Sequence, residues 1–261
     1  MVRKLLLLVG VLLLVAGLLI AFYPKLHQIQ TDREIAAEVQ SFYDIAEERP
    51  ISSADTPHPS QSGTEPGTES DPYLGTEPVL TDMPFHELRM AMEEHNRYLF
   101  ESGQASLSDP WSYQQQVFDL SQYGLEGEAA AVLRIDRLEL ELPVFLGATM
   151  DHMGRGAAQL SQTSMPIGGV NTNCVIAGHC GWTGAAFFRY LSTLQVGDKI
   201  VLTNLWEELH YTVADIKIIN PTDVDKILIQ EGRDLLTLLT CHPYGTGGRY
   251  RLVVYCERTN N

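Results

Sequence analysis

The stretch LLTLLTCHPYGTGGRYRLVVYCER, residues 235–258, ends an apolar, strand-like run on Cys241, turns through Pro-Tyr-Gly, and returns in a second strand carrying Arg249 and Arg251. A thiolate at a strand end beside cations is stabilised and exposed, whereas a structural cysteine would sit inside the apolar run. A thiol nucleophile also needs a proton partner and a group that stabilises the oxyanion it creates. Arg249 and Arg251 share strand parity, so both are open to the second role. Of the eight histidines, His27 and His58 fall in stalk and linker segments, His86 and His95 on a helix, His152 in a polar loop, His210 mid-strand, and His242 beside Cys241 on the other face. His179 stands at the end of the apolar strand CVIAG, inside AGHCGWTGAAFF, where Gly178 and Gly181 permit a tight strand-to-helix turn. Cys174 and Cys256 lie in apolar strands and read as buried small hydrophobes. Cys180 is a rival thiol without an arginine-bearing strand behind it. No C-x-x-C pair and no His or acidic cluster at ligand spacing lies near these motifs, so neither metal nor cofactor is expected.

The elements that position these residues begin after Ala129. There VLRIDRLELELPVF alternates through Leu138, Leu140, Leu142 and Val144, and NCVIAGH, DKIVLTN, LHYTVADIKIIN, DLLTLLTC and YRLVVYCER follow at the spacing of a β-barrel or sandwich. One helix, GAAFFRYLSTL at 184–194, is expected to interrupt them.

Ahead of this domain the chain changes character several times. Residues 1–4 carry Arg3 and Lys4 as a short cytoplasmic tail, and residues 5–22 form an uncharged apolar run about the ~20 residues long that a membrane-spanning helix needs. Cations before the span leave the N-terminus in the cytoplasm and the rest of the chain outside. Residues 23–49 predict a stalk or packing helix with Ile35, Val39, Phe42 and Ala46 on one face and a Thr31/Glu34 capping box. Residues 50–82 hold six acidic residues and no Lys or Arg among Pro, Gly, Ser and Thr, the composition of a flexible acidic linker. Residues 83–128 return to helical periodicity through Leu88, Met92, His95 and Leu99, with His95 as a packing residue.

The formal net charge is −15, but residues 129–261 hold 11 Lys and Arg against 13 Asp and Glu, so most of the acidity lies in the first half. No basic face exists for phosphates, which excludes nucleic acid as a partner.

AGHCGWTGAAFFRYLSTLQVGD resembles the sortase histidine motif, and LLTLLTCHPYG followed by RLVV resembles the sortase cysteine and arginine strands, in the same order from about Ala129 to Arg258. The Pro-Tyr-Gly turn resembles class C, the pilus-assembling type, as does LSDPWS, similar to the Asp-Pro-aromatic lid of that class. The resemblance implies a mostly β fold: a closed eight-stranded barrel with short helices, residues 129–258, preceded by N-terminal helices and a transmembrane helix. It implies Cys241 as nucleophile, His179 as proton partner and Arg251 as oxyanion stabiliser, with Arg249 in reserve. Asp109, Pro110 and Trp111 would form the lid, Asp109 pairing with an arginine and Trp111 covering the thiol. Ser161, Thr163 and Ser164 would shape the pocket. The implied partners are pilins or surface proteins with LPxTG-like signals, cut between Thr and Gly, and an amine such as a pilin lysine. The departures are Cys180, Cys256 in place of the usual glycine, a longer acidic linker, and an end at ERTNN without a second span. The competing readings are a housekeeping sortase using a cell-wall amine and a non-catalytic surface module with a Cys180–Cys241 disulfide.

Overall fold

A computed structural model describes residues 2–47, 83–104, 107, 118–125, 127–182, 185–245 and 248–259. The linker expected at 50–82 and the lid residues Asp109, Pro110 and Trp111 lie outside the described residues.

Ten strands are described: β1 Ala129–Ile135, β2 Leu140–Leu146, β3 Ala157–Gln159, β4 Thr172–Ala177, β5 Cys180–Trp182, β6 Ala185–Phe187, β7 Lys199–Asn204, β8 Glu208–Ile219, β9 Asp234–His242 and β10 Tyr250–Arg258. Eight of them close into a barrel in the order β1-β2-β3-β4-β9-β10-β8-β7. The closed eight-stranded barrel expected from the sequence is therefore present. Pairs β2/β3 and β4/β9 are parallel, and the other barrel pairs are antiparallel.

The period-2 patterns become two faces. Cys174 and Ile176 of β4, Leu236 and Leu238 of β9, and Leu252, Val254 and Cys256 of β10 fill the interior. Their neighbours Val175, Ala177, Leu239, Val253 and Tyr255 form a second apolar cluster on the outer wall. Cys174 and Cys256 are fully buried, as their strand positions implied, and burial pushes both thiols up.

The N-terminal helix α1 runs unbroken over Val2–Glu47 with Pro24 inside it. It is the one described helix long and apolar enough to cross a membrane. The capping box expected at Thr31 and Glu34 does not start a helix: the Thr31 hydroxyl donates back to the His27 carbonyl at 3.1 Å, within a continuing helix. Further on, Val39, Phe42 and Ala46 are buried against Ala129, Val132 and Phe145, so this half packs on the barrel. Helix α2, His86–Glu101, buries Leu88, Met92 and Leu99, but Asn96 takes the buried place expected near His95 and accepts from Met165 N at 2.7 Å. His95 is half-buried and meets Phe118 edge-on at 5.8 Å.

Three further expectations are corrected. The run read as one alternating stretch through Leu138 is a hairpin: residues Asp136–Leu138 form a 3₁₀ turn and Glu139 takes φ +48°. Over the described residues 185–194 the helix expected at 184–194 is absent. Strand β6 pairs with β5 (Cys180↔Phe187, Trp182↔Ala185), and only Leu191–Thr193 is helical, as a 3₁₀ turn. Burying both Phe187 and Phe188 in the core, with φ +40° at Phe187, overrides the local helical pattern. His152 is not in a polar loop but in the short helix α3, Met150–Arg155. There it is buried, bonded through Nδ1 to the Gly147 carbonyl at 2.8 Å and stacked on Phe145 at 5.0 Å.

Candidate active site

Side chains alternate along a strand, so Cys241 points to the same outer face as Leu239, and Arg251 to the same face as Val253. In the β9/β10 ladder Cys241 and Arg251 are direct partners. Gly248, φ +75°, closes over them: a Cβ added there would stand 2.9 Å from Cys241 Sγ and 3.2 Å from Arg251 Nη1. That one point bounds the separation of thiol and guanidinium at about 6 Å. Arg251 Nη1 donates to the carbonyls of Gly248 at 2.6 Å and Tyr250 at 3.1 Å, holding the turn against the strand. Arg249 lies in the bend before β10 and is exposed. The shared strand parity therefore does not apply to it.

His179 arrives from β4. The parallel β4/β9 pairing runs to Ala177↔Leu239 and is extended by Gly178 N to Leu239 O at 3.0 Å. The Thr240 hydroxyl then donates to Gly178 O at 2.7 Å. His179 follows Ala177 by two residues, as Cys241 follows Leu239, so both emerge at the same end of the outer cluster. Gly178 is required by packing, since a Cβ would lie 2.7 Å from the ring of Phe188. Burial holds the His179 imidazole below the ordinary histidine range, which keeps it neutral near pH 7.

Cys180 is half-buried. Burial and the neighbouring Cys241 push its thiol up, opposed by a hydrogen bond with Thr240 and by Arg189. It sits close to the site but is a poorer thiolate than its position alone suggests. All four cysteines carry free thiols. Thr163 and Ser164 are buried, and their hydroxyls accept from Val175 N at 3.2 Å and Asn173 N at 3.0 Å, bracing the strand that delivers His179. Ser161 is buried beside them.

Two described residues precede the segment in which the lid is expected. Leu107 packs on the outer cluster that floors the site. Buried Gln104 donates to Gln162 O at 3.2 Å and accepts from Ile229 N at 2.7 Å, which fixes where the chain leaves α2.

Arg258, at the end of β10, is engaged. It stacks on Tyr211 at 5.6 Å and pairs with Glu207 at 3.7 Å and Asp234 at 3.9 Å. Asp234 begins β9, about 23 Å along the strand from Cys241, so this cluster belongs to the far end of the barrel. Gly248 and Arg189 escaped the sequence reading, which took Tyr244 only as part of the Pro-Tyr-Gly turn; the Gly-Gly doublet before Arg249 was the signal available for Gly248.

A thiol, a neutral imidazole and a guanidinium gathered at one rim of a closed barrel can perform acyl transfer through a thioester. The sortase domain family matches residues 133–259. Sortase D of Bacillus subtilis is 28% identical over 134 residues, which are 51% of this chain and 65% of that protein, so the chain spans less than two thirds of this relative. Among solved structures, Sortase C1 of GBS Pilus Island 1 superposes with a TM-score of 0.67 at 22% identity, over 87% of this chain and 93% of that one, a likeness of fold. Sortase C-1 from Actinomyces oris is 31% identical with a TM-score of 0.60, over 68% of this chain and 99% of that one. With the family match lying on the barrel that carries the thiol, and a relative of that identity covered almost end to end, the chain belongs to the sortase family and resembles its class C members.

Proposed function

We propose that the protein is a membrane-anchored cysteine transpeptidase of the pilus-assembling type. The observation that carries this is the direct pairing of Cys241 with Arg251 in the ladder, with His179 delivered to the same rim by the parallel neighbour strand. Likeness to structures titled as pilus sortases supports the pilus assignment.

The proposed substrate is an LPxTG-like sorting signal on a pilin or surface protein. The Cys241 thiol gives its proton to the neutral His179 imidazole as the sulfur attacks the Thr-Gly carbonyl, an S–C bond forms, and Arg251 faces the developing oxyanion. His179 gives its proton to the departing glycine amine as the C–N bond breaks, leaving a thioester. A pilin lysine amine then attacks the thioester carbonyl and passes its proton to His179, and as the C–S bond breaks His179 returns that proton to the departing sulfur, restoring the thiol. Arg251 is preferred to Arg249 because it alone of the two lies in the strand opposite the thiol. The lid role of Asp109, Pro110 and Trp111 rests on the sequence motif, supported by Leu107 entering that segment from the floor of the site. The apolar part of α1 would be the anchor, with Arg3 and Lys4 cytoplasmic and the barrel outside. The proposed organisation is tail 1–4, anchor 5–22, stalk 23–49, linker 50–82, helical segment 83–128 and catalytic barrel 129–258.

The test is mass spectrometry of the full chain in detergent micelles with an LPxTG-type peptide, alongside Cys241→Ala and an Asp109→Ala/Trp111→Ala double variant. The expected result is an acyl adduct on Cys241, absent in Cys241→Ala and formed faster in the double variant. Resolution by a pilin-lysine peptide in preference to a wall-precursor amine is expected next. An absence of adduct in every form overturns the reading.

A further inference from the structure

The backbone ladder stops short of the two groups that must meet. The β4/β9 pairing ends with Gly178 N on Leu239 O, one residue before His179 and two before Cys241. Beyond that point Cys241 is held to Arg251 by the β9/β10 ladder, which continues to Tyr250↔His242. Past the ladder the Thr240 hydroxyl still bonds Gly178 O at 2.7 Å, and a contact of another kind joins the His179 side to the Cys241 side further out. Tyr244, in the turn after Cys241, lays its ring over Gly181, whose added Cβ would stand 3.1 Å from ring atom Cε2. Gly181 takes φ +80°, so its bare backbone is both conformationally suited and flat enough to receive the ring. Arg189, just past β6, places its guanidinium 4.3 Å from the centre of the same ring. Its Cδ would lie 3.6 Å from the same Gly181 Cβ. One side of the stack is thus the β5/β6 hairpin that follows His179, and the other is the turn that follows Cys241.

We propose that Arg189 and Tyr244 form a latch that positions His179 against Cys241: a cation–π stack that takes over where the strand pairing ends. It deepens the cysteine transpeptidase reading and rests on it. Arg189 and Tyr244 are positioning residues that act through the pair and do not touch the reacting carbonyl. The ladder sets Cys241 against Arg251 and would survive loss of the latch, whereas the imidazole, still backed by the Thr240 bond to Gly178 O, would be set less firmly against the sulfur. Both side chains are exposed, and neither belongs to the barrel core, so their removal leaves the fold standing. The influence of Arg189 on the neighbouring Cys180 thiol agrees with a guanidinium at this rim.

The experiment uses the full chain in detergent micelles and two readouts. The first, which needs no substrate, is the rate of Cys241 alkylation by iodoacetamide from pH 5 to 9, with peptide mass mapping to separate Cys241 from Cys180. His179→Ala serves as the reference for a broken pair. Arg189→Ala and Tyr244→Leu are expected to move the profile in the same direction as His179→Ala. Tyr244→Phe, which keeps the ring face, and Arg189→Lys, which keeps the charge, should recover most of the change. The second readout is acylation by an LPxTG-type peptide, where Arg189→Ala and Tyr244→Leu should each lower kcat about two- to fivefold with KM little changed, the size of an exposed cation–π contact. The double variant should be no slower than either single one, because both remove one interaction.

Wild-type profiles in Arg189→Ala and Tyr244→Leu, multiplying effects in the double variant, or a Tyr244→Phe as impaired as Tyr244→Leu would each overturn the latch. If His179→Ala itself leaves the profile unmoved, there is no pair to hold and the latch falls with it. Alkylation profiles that respond as expected in a protein that never forms a peptide adduct would refute the transpeptidase reading and leave the latch standing.

Discussion

Replacing Gly248 with alanine should silence the thiol at small cost to the fold. The residue takes φ +75°, where a Cβ crowds its own carbonyl by about 1–2 kcal/mol. In a domain of this size that lowers the thermal midpoint by about 5 °C. The second effect is local. The new methyl would stand 2.9 Å from Cys241 Sγ, 3.3 Å from its Cβ and 3.2 Å from Arg251 Nη1. Nonbonded heavy atoms settle near 3.5–4.0 Å, so something must move by roughly 0.6–1 Å. If the sulfur swings away it leaves the imidazole and guanidinium, and if the turn lifts, Arg251 loses its bond to Gly248 O. A displacement of that size costs on the order of 100-fold in rate. Gly232→Ala is the matched control: φ is +76°, nothing lies within 4 Å of the added Cβ, and the residue stands at the opposite end of β9. Both variants should melt alike, whereas peptide acylation and Cys241 alkylation should collapse only in Gly248→Ala. Equal activity in the two variants would refute the argument that this glycine exists to leave room for the thiol.

Gly178→Ala would drive a methyl to 2.7 Å from the Phe188 ring, which is fully buried and has nowhere to turn. Overpacking of this kind costs about 1–3 kcal/mol, and a lowered denaturant midpoint with unchanged slope would show it. The sign of the pH dependence follows from His95 and His179, both held below the ordinary histidine value by burial. Their folded values lie below the unfolded one, so the stability they contribute is complete above about pH 6.5 and is lost as pH falls through the folded values. A melting temperature that drops below that pH in the wild type, and drops less in His95→Gln, is the expected result. Arg155 joins α3 to α1 through Glu38 at 3.2 Å and lies over Phe145 at 4.9 Å. Because it is partly exposed, its removal should cost only about 1 kcal/mol. Hydrogen exchange should nevertheless show residues 35–46 of α1 losing protection in Arg155→Ala.

The order His179, Cys241, Arg251, the apolar N-terminal span and most barrel strands were legible in the amino-acid order, because each is written in local pattern. Strand faces follow a period of two, and a thiol or imidazole at the end of an apolar run announces itself. The short strands β5 and β6 were not legible: GAAFF reads as helix until the barrel offers Phe187 and Phe188 a place to bury. Which of Arg249 and Arg251 lies opposite Cys241 also depends on where β10 begins, which the ladder with β9 sets. The partners of Arg258 were not legible because Tyr211, Asp234 and Glu207 are distant in sequence. The parallel pairing of β4 with β9, the room over the thiol at Gly248 and the stack of Arg189 on Tyr244 were decided by tertiary structure alone. Each joins residues from separate elements whose register exists only once the barrel has closed, and no periodicity within either segment encodes it.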